Sequence, residues 1–137
     1  MSVSNLLVPN NYNILQNSLS YFVQSVPVSF NFTGPFAMTA SYTYVRVGDV
    51  VTMVLTGQLN TATAATTFVS TGMLPAIIKP VHAQDIIIFG ENNGATASLD
   101  MHIGSDGTLT VSVLAGPNFT NSALCGWGQV GFTYSLA

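Results

Sequence analysis

Charged residues are scarce in this chain of 137 residues: they make up 5% of it, against roughly 25% in an ordinary soluble domain. Hydrophobic residues make up 48%, so Ser, Thr, Asn and Gln must supply most of the solvated surface. A surface that is hydrated so weakly by charge favours association between protein faces. We therefore expect other copies of the chain to cover part of its apolar surface.

Positive charge is the scarcest of all, because Arg46 and Lys79 are the only Lys or Arg residues and the formal net charge is -3. Nucleic-acid binding needs several cations along a phosphate track, and adhesion to an anionic membrane needs a basic cluster. The longest apolar runs, such as Ile86 to Phe89, are strand-sized, whereas a membrane-spanning helix takes about 20 residues. We expect neither nucleic-acid binding nor membrane insertion.

Cysteine is represented only by Cys125, so an intramolecular disulfide is impossible and the fold must depend on packing. We expect a buried thiol, with a bridge between subunits as the alternative.

The amino terminus lacks the basic leader and apolar stretch of a secretory signal. It therefore predicts synthesis in the cytoplasm without a signal peptide.

Recognisable catalytic and metal-binding motifs are also missing. The acidic residues are scattered singly, no nucleophile elbow or phosphate loop occurs, and His82 and His102 lie too far apart for a typical zinc motif. We predict no enzyme activity, no metal and no cofactor. One alternative stays open, a calcium site made by Glu91 to Asn93 together with Asp100 or Asp106.

The clearest positive signal is a hairpin from Leu99 to Val113. Both arms alternate apolar and polar residues with a period of two, which predicts strands with one buried face. Gly104 to Gly107 separate the arms, and their Asp-Gly pair is a strong hairpin turn signal. A second hairpin is predicted from Phe36 to Val47 and Val50 to Leu59, around Gly48-Asp49.

Two later segments also read as strands. Asp85 to Glu91 contains four consecutive large apolar residues, which predicts a strand buried on both faces. Trp127 to Leu136 alternates apolar and small or polar residues and predicts the last strand. Leu74 to Pro80 is expected to be an extended connection, because its two prolines stiffen it.

Eight to ten short strands with Gly and Pro between them, and no substantial helix, predict an all-β antiparallel sandwich. We favour a jelly roll, with an immunoglobulin-type sandwich or a single-chain barrel as alternatives. Residues 1–18 show little periodicity and are expected to form an extended arm. Residues 19–137 are expected to form a single domain.

Four motifs in order carry a family resemblance: Tyr44 to Met53, Leu74 to Pro80, Ser105 to Thr110, and Cys125 to Tyr134. Their ensemble is similar to small TNF-like jelly rolls of the complement globular-head type, which occur in viral and phage surface, fibre and baseplate proteins. The resemblance implies a viral structural protein located on the virion, as a capsid or fibre component. Its role would be assembly or host attachment, without catalysis.

The same resemblance implies a homotrimer whose final strand lines the three-fold interface. By that likeness Phe132, Tyr134 and Leu136 are the interface candidates. Other virion proteins and a host receptor or glycan are the further partners that it implies.

A lectin-like carbohydrate-binding module is the alternative function. Exposed aromatic rings beside amide groups commonly hold sugars. Trp127 would supply the ring, and the loop residues that would hold a glycan or receptor beside it are Asn92, Asn93, Asn118 and Asn121.

Overall fold

A computed structural model describes residues 22–137 of the chain. The predicted arm at 1–18, and the boundary with a domain starting at 19, lie outside the described residues. The described part is an antiparallel β-sandwich of jelly-roll-like class, as the sequence predicts, built from two sheets around one core. Its only helix within 22–137 is a single 3-10 turn at Ala76–Ile78, so nothing helical there is long enough to span a membrane.

Sheet A has five strands, in the order β1-β4-β5-β12, with β2 also pairing with β4. They are β1 (Val23–Gln24), β2 (Val28–Ser29), β4 (Ser41–Val47), β5 (Val50–Thr56) and β12 (Gln129–Ser135). Sheet B has seven strands, in the order β3-β7-β10-β9-β8-β11-β6. They are β3 (Phe32–Thr33), β6 (Leu59–Thr61), β7 (Phe68–Ser70), β8 (Gln84–Asn92), β9 (Ala95–Ile103), β10 (Leu109–Val113) and β11 (Leu124–Gly126).

The strand count in the described part is twelve, not eight to ten. The additional strands are β3, β6 and β11, which have only two or three residues each and are too short to show an alternating pattern. Pro27 separates β1 from β2, and the chain then passes from sheet A to sheet B between β2 and β3. Because proline cannot donate to a central ladder, an interruption here fits the edge of a sheet.

The predicted hairpin from Leu99 to Val113 is confirmed as β9 and β10, whose register pairs Leu109 with Ile103. Gly107 has a φ of 90°, a conformation that glycine adopts at little steric cost. The Asp106 carboxylate accepts a 2.9 Å hydrogen bond from the N–H of Thr108. The turn is therefore held both by a glycine and by a side chain that folds back onto the backbone.

Sheet A contains the second predicted hairpin, β4 and β5, with β12 added on the far side of β5. The hairpin is shorter than predicted, because residues 36–40 precede β4 and Leu59 begins β6 of sheet B. Tyr44 pairs with Met53, and Met53 pairs with Phe132, so the three side chains form one inward-facing row. All three are buried. The alternation of apolar and polar residues in these three strands thus gives the sheet one face toward the core and one toward solvent.

The prediction that β8 is buried on both faces is wrong. Ile86 and Ile88 face the core, whereas Ile87 is 58% exposed and Phe89 is 66% exposed. An apolar run shows that a strand is hydrophobic but does not show what covers each of its faces. Within the described chain, nothing covers the outer face of β8.

The core contains a series of aromatic rings that joins the two sheets. Phe68 of β7 lies edge-on to both Phe119 and Trp127, with ring centroids 5.0 and 5.3 Å apart. Trp127 contacts Phe32 at 5.2 Å, and the series continues through Phe30 into sheet A. Edge-to-face pairs of this kind each contribute roughly 0.5–1.5 kcal/mol beyond their burial.

Leu74 to Pro80 is less extended than the sequence predicts, because the 3-10 turn lies within it. Leu74 and Ile78 are both buried, so the turn directs two apolar side chains into the core. The Tyr134 hydroxyl donates a 2.7 Å hydrogen bond to the carbonyl oxygen of Ile78. This bond ties the turn to the interior side of β12.

Candidate binding surfaces

The residues predicted to line a trimer interface face the wrong way for that role. Phe132, Tyr134 and Leu136 are all buried in the core of the single chain. Their side chains point toward the opposite sheet and are unavailable to another copy. An interface on the outer face of β12 would be made instead by the alternate residues Gln129, Gly131, Thr133 and Ser135, all of which are exposed.

Trp127 does not form a sugar-binding platform. Its side chain is fully buried against Phe32 and Phe68, and a Cβ added to Gly57 would lie 2.6 Å from its Nε1 atom. Among residues 22–137 the indole N–H finds no hydrogen-bond partner. Trp127 follows directly on β11, where the chain leaves sheet B for sheet A, and this crossover places the ring between the sheets.

The predicted loop residues do come together at one end of sheet B. The Asn92 side-chain oxygen accepts a 2.8 Å hydrogen bond from the N–H of Thr120, which joins the β8–β9 turn to the β10–β11 loop. Asn93, Asn118 and Asn121 belong to this turn and this loop, and the two loop asparagines are exposed. Phe119, which lies between these two asparagines in the sequence, is fully buried and anchors the loop to the core.

A shallow groove of about 530 Å³ begins at this loop end. Its residues come from the end of β8, from β9, and from the end of β10 and the segment after it: they are Asn92, Thr96, Ala97, Ser98, Val113, Leu114 and Ala115. The lining combines amide and hydroxyl groups with small apolar surfaces. Such a lining suits a neutral polar ligand better than a charged one.

The outer face of sheet B carries an exposed apolar patch made of Ile87, Phe89 and Leu114, which we name the sheet B patch. Phe89 pairs with Ser98 across the strands, and the Leu114 N–H donates a 3.0 Å hydrogen bond to the Ser98 carbonyl oxygen. Phe89 and Leu114 therefore lie in one row across the outer face of sheet B, on either side of Ser98 of β9, and Ile87 lies two residues from Phe89 along β8. No side chain shields them in the described chain.

Ionisable residues border the sheet B patch. Asp85 pairs with His102, whose Nδ1 lies 2.8 Å from the Asp85 carboxylate, and Ile87 pairs with Asp100. The pKa of Asp100 is raised, chiefly by partial burial and then by the nearby Asp85 charge, while His102 opposes the shift. The patch thus has an apolar centre and a polar margin, which is the usual arrangement of a protein interface.

Residues 22–137 contain no group of three or more His, Cys, Asp and Glu side chains that could hold a metal ion. The alternative calcium set is also divided: Asp106 lies beyond the far end of β9 from Asn93, and Asp100 pairs with Ile87, four residues along β8 from Glu91. Cys125 is fully buried, and burial raises its pKa to about 11. The thiol is therefore protonated at neutral pH and inaccessible for a bridge between subunits.

No protein-family model and no curated protein matches the chain. A solved structure of a reovirus attachment protein, sigma1, in complex with alpha-2,3-sialyllactose, is similar to it at 16% sequence identity and a TM-score of 0.46. The similarity covers 82% of this chain and 65% of the reovirus chain, so this chain spans slightly less than two thirds of that protein's length. The sialyllactose is a ligand of the reovirus protein.

Proposed function

We propose that this chain is a non-catalytic structural module of a virion surface or fibre tip, which forms a homotrimer and serves particle assembly or host attachment. The viral setting is what its resemblance to TNF-like surface jelly rolls implies. The single observation that carries the assembly role is the uncovered outer face of β8. A strand whose sequence is suited to burial on both faces is covered on only one.

The sheet B patch gives this proposal a physical driving force. Full burial of a side chain such as Phe89 or Ile87 stabilises an assembly by roughly 1.5–3 kcal/mol. The low charge of the chain adds to the effect, because few like charges have to be brought together. The patch is therefore the surface at which we place the contact between copies.

Light scattering after gel filtration, at low and high protein concentration, tests the trimer. We expect a mass of at least three chains for the natural sequence, and a loss of that association in Phe89→Ser. Val26→Ser is the matched control, because Val26 is also exposed but lies outside the patch. A natural chain that stays monomeric at all concentrations would contradict the proposal.

Glycan binding is the second candidate, and the groove beside Asn92 is the observation that favours it. Its hydroxyl and amide lining and its size suit a short neutral stretch of oligosaccharide. In this version of the lectin hypothesis the groove replaces the buried Trp127 as the binding surface.

A glycan array probed with the assembled protein tests this candidate, with alpha-2,3-sialyllactose among its ligands. We expect binding that is lost in Thr96→Phe, because the larger side chain fills the groove. Thr43→Phe, on the other sheet, is the control and should bind normally. A blank array with correctly assembled protein would exclude the glycan site.

A further inference from the structure

One sheet edge differs from the others in the described part of the chain. The edges at β1, β3 and β6 are strands of two or three residues, whereas the edge at β12 has seven. Proteins usually protect an edge with short strands, charges or proline, because unpaired backbone groups are a template for another strand. β12 contains neither a charged residue nor a proline.

Two hydrogen bonds at the ends of β12 show which of its residues direct their backbone N–H and C=O groups toward β5. Gly57 N–H donates to the Gly128 oxygen at 2.9 Å, and Leu136 N–H donates to the Asp49 oxygen at 2.7 Å. Since the register of β5 and β12 is continuous between these bonds, the even-numbered residues of β12 direct their backbone groups toward β5. The residues that direct theirs away from β5 are Gln129, Gly131, Thr133 and Ser135.

Gln84 already occupies one end of this edge. Its side-chain amide donates to the Ser135 carbonyl oxygen and accepts a 3.2 Å hydrogen bond from the Ser135 N–H. The amide thus pairs with Ser135 as a neighbouring strand residue would. In the described chain no such partner faces the backbone of Gln129, Gly131 or Thr133.

Gly131 lies at the centre of the unpaired stretch, and it is exposed. Because glycine has no side chain, its exposed surface is backbone. The N–H and C=O groups of the edge are therefore accessible to another chain.

We infer that the β12 edge pairs antiparallel with β12 of a second copy, about a two-fold axis through Gly131. In that register Gly131 faces its own equivalent, and Gln129 faces Thr133 of the second copy. Each of these three pairs joins residues whose backbone groups already point outward, and each pair exchanges two hydrogen bonds. In each copy Gln84 already binds the backbone of Ser135, so the ladder between the two copies stops before Ser135 at both of its ends.

A second copy fits this edge better than an unlike partner does. The unpaired stretch is self-complementary about Gly131, and it has no charge that would select a partner of opposite sign or repel a copy of itself. The contact is separate from the sheet B patch. It would join copies side by side, through sheet A, in addition to the proposed trimer.

Opposite charges at the two-fold axis test the pairing. A Cβ added to Gly131 meets only the Met53 carbonyl oxygen, at 3.9 Å, so side chains fit there without disturbing the sheet. The Phe89→Ser background removes the proposed trimer contact and leaves the edge as the remaining interface. In that background we expect a mass of two chains, reduced to one by either Gly131→Lys or Gly131→Asp, because like charges then face each other.

An equal mixture of the Lys and Asp variants should restore two chains, and Gly131→Ala alone should keep them. Amide hydrogen exchange of the natural chain is an independent measurement. The Gly131 and Thr133 amide hydrogens should exchange more slowly as protein concentration rises. The inference is overturned if the Phe89→Ser protein is monomeric, if the charge variants leave its mass unchanged, or if the mixture stays at one chain. None of these results depends on whether the natural chain forms a trimer.

Discussion

The outer faces of the two sheets have different chemistry. Sheet A mixes threonine and small residues with valine: Thr52 and Thr133 place their hydroxyl oxygens 3.3 Å apart, and Val47 and Val50 beside the turn are about half exposed. Sheet B presents Ile87 and Phe89 beside an Asp and His margin. Threonine hydroxyls hydrate the centre of the sheet A face without charge, whereas the larger apolar side chains Ile87 and Phe89 gain more stability when they are covered.

This difference separates two ways of associating. Sheet B offers side chains on a face, and sheet A offers backbone groups at an edge. Each can be altered without changing the other, because the two surfaces belong to different sheets. Substitutions at inner, edge and outer positions of these sheets should therefore have different effects.

The largest effect should distinguish the two sides of β12. We expect Phe132→Ala to lower the free energy of unfolding by about 3–5 kcal/mol, because it leaves a cavity in the core. Thr133→Ala, one residue further on, should change it by no more than about 0.5 kcal/mol, since that side chain is exposed. Denaturant unfolding followed by the fluorescence of Trp127, the only tryptophan, measures both. The reverse order of losses would mean that β12 is shifted by one residue.

A smaller loss is expected for Tyr134→Phe. The variant removes the hydroxyl that donates to the Ile78 carbonyl oxygen, and it leaves that buried acceptor without its partner. We expect a loss of about 1–3 kcal/mol in the same unfolding measurement. An unchanged free energy of unfolding would show that the turn at Ala76–Ile78 is not tied to β12 by this bond.

The smallest effect should come from the margin of the sheet B patch. Because the pKa of Asp100 is raised in the folded protein, its charged form opposes folding at neutral pH, and its protonation favours folding as pH falls through the raised value. Because the carboxyl is partly exposed and solvent screens its charge, we expect Asp100→Asn to increase the free energy of unfolding at pH 7 by no more than about 0.5 kcal/mol. The gain should vanish in acid, where the natural carboxyl is protonated, and a gain that persists there would contradict this account.

Local signals in the sequence were sufficient for the two hairpins and for the alternation of β12. Period-two patterns and Gly-Asp or Asp-Gly turns act between residues close in sequence, so they can be read without knowing the fold. The position of Trp127 was not predictable in this way. Its burial depends on the chain crossing between sheets, which joins parts of the sequence that are far apart.

The exposed face of β8 was missed for a related reason. An apolar run is compatible with burial on two faces or on one, and only the arrangement of the other strands decides between them. The same holds for the β12 edge, since the sequence shows a strand but not whether it is central or at an edge. Both candidate association surfaces are therefore consequences of topology rather than of local pattern.

The most direct test of two separate surfaces is the solution mass of four proteins, measured by analytical ultracentrifugation: the natural chain, Phe89→Ser, Gly131→Lys, and the double variant. We expect more than three chains for the natural protein, two for Phe89→Ser, three for Gly131→Lys and one for the double variant. A double variant that keeps the mass of the natural protein would contradict the account, because association would then use neither the sheet B patch nor the β12 edge.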